Sequence, residues 1–149
     1  VRIFLDANVL FSASNPGSAF SRLISVALEY ADAVLTSDLA CAEARRNLAL
    51  KRPVWLSMFE AMLEPSGPDG GPGLEMVPSA VFPLSVDLAD KDIPLVCAAI
   101  SARSDYFVTG DRKDFGHLFD VAVKGVTVIT PKQLAEMLHE LSSGSEEDS

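Results

Sequence analysis

Short, densely apolar runs alternate along this chain with longer stretches in which apolar residues return every three or four positions, a pattern that predicts strands interleaved with helices. "RIFL" reads as a buried strand, and after a Pro-Gly turn "GSAFSRLISVALEY" sets Phe20, Leu23, Ile24, Ala27 and Leu28 at helical spacing. "DAVLTS" is the second strand, with Thr36 or Ser37 placed to cap the helix "DLACAEARRNLALK". Pro53 then opens a third helical stretch, "PVWLSMFEAML". "EPSGPDGGPG" holds seven Gly or Pro residues in ten, which predicts a flexible loop over 64–73 inside one domain, since neither half makes a core alone. "LEMVP" offers a third strand, "DKDIPLVCAAISAR" a helix with Pro94 in its first turn, "DYFVTG" and "GVTVIT" two more strands, and "PKQLAEMLHELS" the closing helix. This alternation favours a parallel sheet covered on both faces, with functional groups at the carboxyl ends of its strands.

One residue breaks the pattern. Asp6 follows the apolar run Ile3, Phe4 and Leu5, and apolar residues resume at Val9, so a carboxylate sits where a buried strand ends. On the same map Asp111 follows "YFVTG", and Asp92 stands at the start of the helix that leads into that strand. Glu43 lies between one and two turns into its helix, on a line with Leu39 and Asn47 that can face the sheet edge. Asp114, a turn beyond Asp111, is a fifth candidate. Gathering carboxylates raises each one's pKa and is unfavourable without a compensating cation. Hard oxygen donors with no paired thiols and no His at ligand spacing select Mg²⁺ or Mn²⁺ over Zn²⁺. Taken singly each acid has a plainer role: Asp92 as a helix cap, Asp6 as a loop acceptor, Glu43 as a solvated partner of Arg45 or Arg46.

Composition narrows the picture further. With 149 residues, 48% of them hydrophobic, the chain has enough length to bury a core without disulfides. No run approaches the roughly 18 apolar residues of a membrane span, and no secretory signal is read at the start. Cys41 and Cys97 are far apart, so two buried reduced thiols and a cytoplasmic protein are expected. His117 and His139 are equally isolated and read as surface or helix-end residues. A formal charge of −9 argues against sequence-independent coating of nucleic acid, which needs many Lys and Arg contacts. Part of that charge belongs to "SSGSEEDS", predicted as a disordered acidic tail over 142–149, with the folded domain at 1–141.

Four segments in order, "FLDANVLFSA", "CAEARRNL", "KDIPLVCAAI" and "VTGDRKDF", resemble the motifs of the PIN-domain nucleases, and the likeness spans nearly the whole chain. The resemblance implies a three-layer α/β/α fold around a mainly parallel sheet of four to five strands. It implies a metal-dependent endoribonuclease, a hydrolase of RNA, with Asp6, Glu43, Asp92 and Asp111 as catalytic metal ligands and Asp114 as an extra acid. Asn8 and Thr109 match the family's polar supports. Because many small PIN proteins are toxins paired with an antitoxin, the resemblance also implies an antitoxin partner and a homodimer. The loop at 64–73 is longer than in the shortest of them.

Arg45, Arg46, Lys51 and Arg52 lie near Glu43 in sequence, and Arg112 and Lys113 adjoin Asp111, so phosphate contacts are candidates beside ordinary solvated helix faces. Phe115 and Trp55 are candidates for base stacking, with core packing as the plainer expectation. Asn8 stands where an aspartyl-phosphate hydrolase of the haloacid-dehalogenase type needs a second acid, and "FLDANV" lacks the acid pair of a receiver domain. The remaining competitor is a catalytically inactive PIN-fold module that acts through protein contacts. A module of that kind has no physical need of a repulsive acidic cluster.

Overall fold

In the computed structural model, which describes residues 1–65 and 72–147, each apolar run joins one sheet. The strands are β1 (Arg2–Leu5), β2 (Ala33–Ser37), β3 (Glu75–Val77), β4 (Tyr106–Val108), β5 (Ala122–Val123) and β6 (Val126–Ile129). Their order is β3-β2-β1-β4-β6-β5, with every pairing parallel except β5 against β6. The sheet thus has six strands among the described residues rather than four or five. The additional one, β5, is two residues long and turns back through Lys124 and Gly125, both at positive φ, as a tight hairpin demands. A strand that short shows no alternation, which is why hydropathy does not reveal it.

Seven helices pack around this sheet among the described residues: α1 (Ala7–Ala13), α2 (Ala19–Tyr30), α3 (Asp38–Lys51), α4 (Leu56–Leu63), α5 (Ile93–Ser101), α6 (Arg112–Phe115) and α7 (Pro131–Glu147). Ser18 and Ser37 cap α2 and α3 through their hydroxyls, and Pro94 sits in the first turn of α5 as its fixed φ favours. Ile3, Phe4 and Leu5 of β1 are all fully buried although their side chains alternate between faces. Both faces are therefore covered, and the layers are α/β/α. Phe4 and Phe107 are register partners stacked at 5.5 Å, and Phe115 stacks on Phe107 at 5.1 Å. Phe115 is thus a core residue and not a stacking platform for bases. Trp55 is half-buried, edge-on to Phe11 at 5.7 Å.

The helix α1 has no counterpart in the hydropathy pattern. It spans fewer than two turns, too few for a period to emerge, but it buries Val9, Leu10 and Ala13 against the core and packs on α2 and α3. At the other end α7 continues to Glu147, past residue 141 where the sequence reading ends the domain. Within that continuation the Ser142 hydroxyl donates back to the His139 carbonyl at 3.0 Å. Ser149 and Asp148 lie outside the described residues.

Most of the loop expected at 64–73 also lies outside the described residues, but its two ends are tied together. Leu74 N donates to Met62 O at 2.9 Å and Gly73 N to Pro65 O at 3.1 Å. At Gly73 a Cβ would lie 1.8 Å from the Glu64 carbonyl oxygen, so only glycine closes this neck. Both cysteines are free and buried, and burial pushes the Cys41 thiol up to about 11. No described helix is long and apolar enough to cross a membrane.

The chain order explains where function can sit. From β1 the sheet grows through β2 and β3 in one direction and through β4 and β6 in the other. The connections diverge at the carboxyl ends of β1 and β4, which leaves a crevice there.

Candidate functional site

That crevice is a cleft of about 470 Å³ lined by Asp6, Asn8, Glu43, Lys91, Asp92 and Asp111, with Ser12, Phe20, Asn47 and Pro131 at its walls. Asp6 enters it because the backbone cannot continue both as β1 and as α1. At φ −73° and ψ 162° the residue is still extended, and its carboxylate accepts from Ala7 N at 2.7 Å, capping α1. The other carboxylate oxygen accepts from Asn8 Nδ2 at 2.9 Å and from Thr109 Oγ1 at 2.8 Å. Thr109, on the residue after β4, in turn accepts from Asn8 Nδ2 and from Asp111 N, each at 3.1 Å. Asn8 Oδ1 closes the circuit by accepting from Gly110 N at 2.8 Å. The two strand ends are thereby stitched together through side chains.

Burial outweighs these bonds for Asp6 and pushes its pKa up to about 6, although Thr109 and Ala7 pull it down. Asp92 and Glu43 add to the rise by repulsion. Asp92, itself buried just ahead of α5, makes no capping bond with its side chain, so the plainer role of helix cap does not hold for it. Burial raises its pKa as well, against the pull of Lys91. Asp111 does cap a helix: its carboxylate accepts from Asp114 N at 3.0 Å at the start of α6.

Carboxylate oxygens of Asp92, Asp111 and Asp114 all lie within 4.8 Å of one another. Asp6 and Glu43 line the same cleft but stand outside that trio among the described residues. Glu43 is half-buried on α3, one turn before Asn47, which also reaches the cleft, whereas Leu39 on the same line is 46% exposed. The donors facing the cleft are carboxylates, amides and a hydroxyl, with neither thiol nor imidazole among its lining residues. Such an all-oxygen acidic set fits a hard divalent cation.

The cations are placed differently from their order in the chain. Arg45 turns away to Glu60, at 2.8 and 3.4 Å, and lies over the Phe59 ring. Arg52 lies over Trp55. Arg46, Arg112 and Lys113 are exposed, and none of these side chains lines the cleft. The cation that does line it is Lys91, to which sequence reasoning assigns no role. Its Nζ stands 3.2 Å from both oxygens of Asp92 and 2.8 Å from Asp114 Oδ2. The pairing holds Asp114 below the usual carboxylate range. The only signal in the sequence is a lysine preceding Asp92.

No protein-family model and no curated protein sequence matches the chain. Among solved structures it is similar to a chain of VapBC2 from Rickettsia felis, a complex crystallised with a DNA fragment from their promoter. The two share 13% identity with a TM-score of 0.58, over 87% of this chain and 98% of that one. A likeness of this extent at so low an identity is one of fold, and the fold of this chain is PIN-like, as its motifs imply.

Proposed function

We propose that the protein is a divalent-metal-dependent endoribonuclease and the toxin component of a toxin–antitoxin pair. The observation that carries this reading is the convergence of Asp6, Glu43, Asp92 and Asp111 on one cleft at the β1/β4 switch point. Asp6, Glu43, Asp92 and Asp111 would hold Mg²⁺ or Mn²⁺, with Asp114 as a further ligand. When bound, the ion supplies charge neutralisation on the scissile phosphodiester and activation of the attacking water. The chain's own residues do the rest. Asn8 and Thr109 fix the rotamer of Asp6 by donating to the same oxygen, which leaves the other, bonded only to Ala7 N, with a lone pair for the ion. Glu43 raises the negative field that draws the cation in. Arg46, Arg112 and Lys113, all exposed, would supply phosphate contacts along an approaching strand outside the cleft.

The resemblance of the four motifs to the PIN nucleases, many of them toxins, supports the toxin role, and the fold likeness to VapBC2 adds to it. Purified protein with labelled single-stranded RNA and Mn²⁺ should yield internal cuts that Asp6→Asn abolishes. Absence of cutting, or equal cutting by Asp6→Asn, overturns the nuclease reading. Growth arrest on expression, relieved by co-expressing the adjacent reading frame, tests the toxin role separately.

A further inference from the structure

Lys91 is the feature of the cleft that the nuclease reading leaves unused. Its ammonium is shared by Asp92 and Asp114, two of the three acids whose oxygens lie within 4.8 Å of one another. Those distances are of ion-pair contact on two separate carboxylates, the arrangement a small cation would take between them. The geometry is also built from both sides. Asp92 is buried at the start of α5 and Asp114 is half-buried on α6, while the Lys91 side chain, 61% exposed, reaches both from the solvent side.

We propose that Lys91 is a tethered cation that takes the place of a second divalent ion between Asp92 and Asp114, so that the cleft holds one Mg²⁺ or Mn²⁺ tightly and not two. This inference rests on the metal-dependent reading above. Repulsion within the acidic trio is the force that would recruit an additional cation, and Lys91 discharges it internally. With its ammonium 3.2 Å or less from both carboxylates, Lys91 stands in the gap that a second ion would occupy. Asp6 and Asp111, by contrast, accept only from neutral donors among the described residues. The single ion is then left to Asp6, Glu43, Asp92 and Asp111, with Asp114, the further ligand named above, given over to Lys91.

The test is a Mn²⁺ titration of the full-length protein without RNA, read by the electron paramagnetic resonance signal of free Mn²⁺. Wild type should bind one equivalent. Lys91→Met should bind a second, with at least a tenfold gain in affinity for it, while Lys91→Arg, which keeps the charge, should stay at one. Thermal unfolding in chelator checks that each variant is folded. Equal stoichiometry and affinity in wild type and Lys91→Met overturn the proposal, as does a second equivalent in wild type. Unchanged Mn²⁺ binding with weakened RNA binding in Lys91→Met overturns it too and makes Lys91 a phosphate contact. If wild type and Lys91→Met bind Mn²⁺ alike and wild type cuts RNA, the inference alone has failed. If neither protein binds Mn²⁺ and wild type does not cut, the nuclease reading has failed with it.

Discussion

On the β1 side of the cleft Asp6 is held by three neutral donors, from Ala7, Asn8 and Thr109, whereas on the α5–α6 side Asp92 and Asp114 share one charged donor, Lys91. The two arrangements solve different problems. Neutral donors fix direction without removing charge, so Asp6 keeps a pKa pushed up to about 6 by burial. An ammonium removes charge without fixing direction, since a mostly exposed lysine has many rotamers, and it holds Asp114 low. A carboxylate meant to present itself to an ion needs the first arrangement. One that must remain quiet without an ion needs the second.

The contrast is broken most severely at Asp6. Asp6→Asn should lower the single-turnover rate of RNA cleavage on the order of a thousandfold, because it removes a ligand charge worth several kcal/mol to the developing phosphorane. A rate within tenfold of wild type would place the reacting ion away from β1. Thr109→Val should act on the same carboxylate indirectly. Removal of its hydroxyl leaves Asp6 short of a donor and both Asn8 Nδ2 and Asp111 N short of an acceptor. Mn²⁺ affinity should fall about 10- to 100-fold. Stability should fall by about 1–3 kcal/mol, as measured by urea unfolding, and Thr109→Ser should restore most of both.

A smaller effect follows from pH. Asp6 ionises near 3.8 when unfolded and at about 6 when folded, so folding favours its protonated form. Its favourable contribution is complete below about 4 and is lost as pH rises through about 6, after which stability levels off. The span is on the order of 3 kcal/mol at most. Asp92, raised in the same direction, adds to the slope, while Asp114 and Asp32 are lowered and act only below about 4. Urea unfolding in chelator between pH 4.5 and 7 should therefore show metal-free wild type losing stability relative to Asp6→Asn as pH rises. A difference between the two that does not change with pH would show that burial does not raise the Asp6 pKa. Saturating Mn²⁺ should reverse the slope, since the ion selects the ionised form.

The smallest effect lies outside the cleft. Arg45 and Glu60 form a pair as short as those at the site, but both are about half exposed. Arg45→Ala should change stability by less than about 1 kcal/mol, because solvent screens such pairs. A larger loss would point to packing of the guanidinium on Phe59 rather than to its charge.

The sequence by itself determined the elements whose signals are local. β1 up to Asp6, the Ser37 cap, the span of α3, Pro94 in the first turn of α5 and the strand before Thr109 all follow from periods and caps that a few neighbouring residues set. Burial of Asp6 at a strand end was legible for the same reason, as a charge that interrupts an apolar run. Only the tertiary structure decided what these residues face. α1 spans fewer than two turns and β5 only two residues, too short for a repeat to be read, and their burial against the sheet, not their propensity, makes them elements. Arg45 meets Glu60 fifteen positions away and turns from the acids it neighbours in sequence, while Lys91 turns back between Asp92 and Asp114. An exposed, flexible side chain carries no local code for its partner. Its direction is set by the charges that the fold brings within reach, Glu60 of α4 for Arg45 and the acids at the starts of α5 and α6 for Lys91.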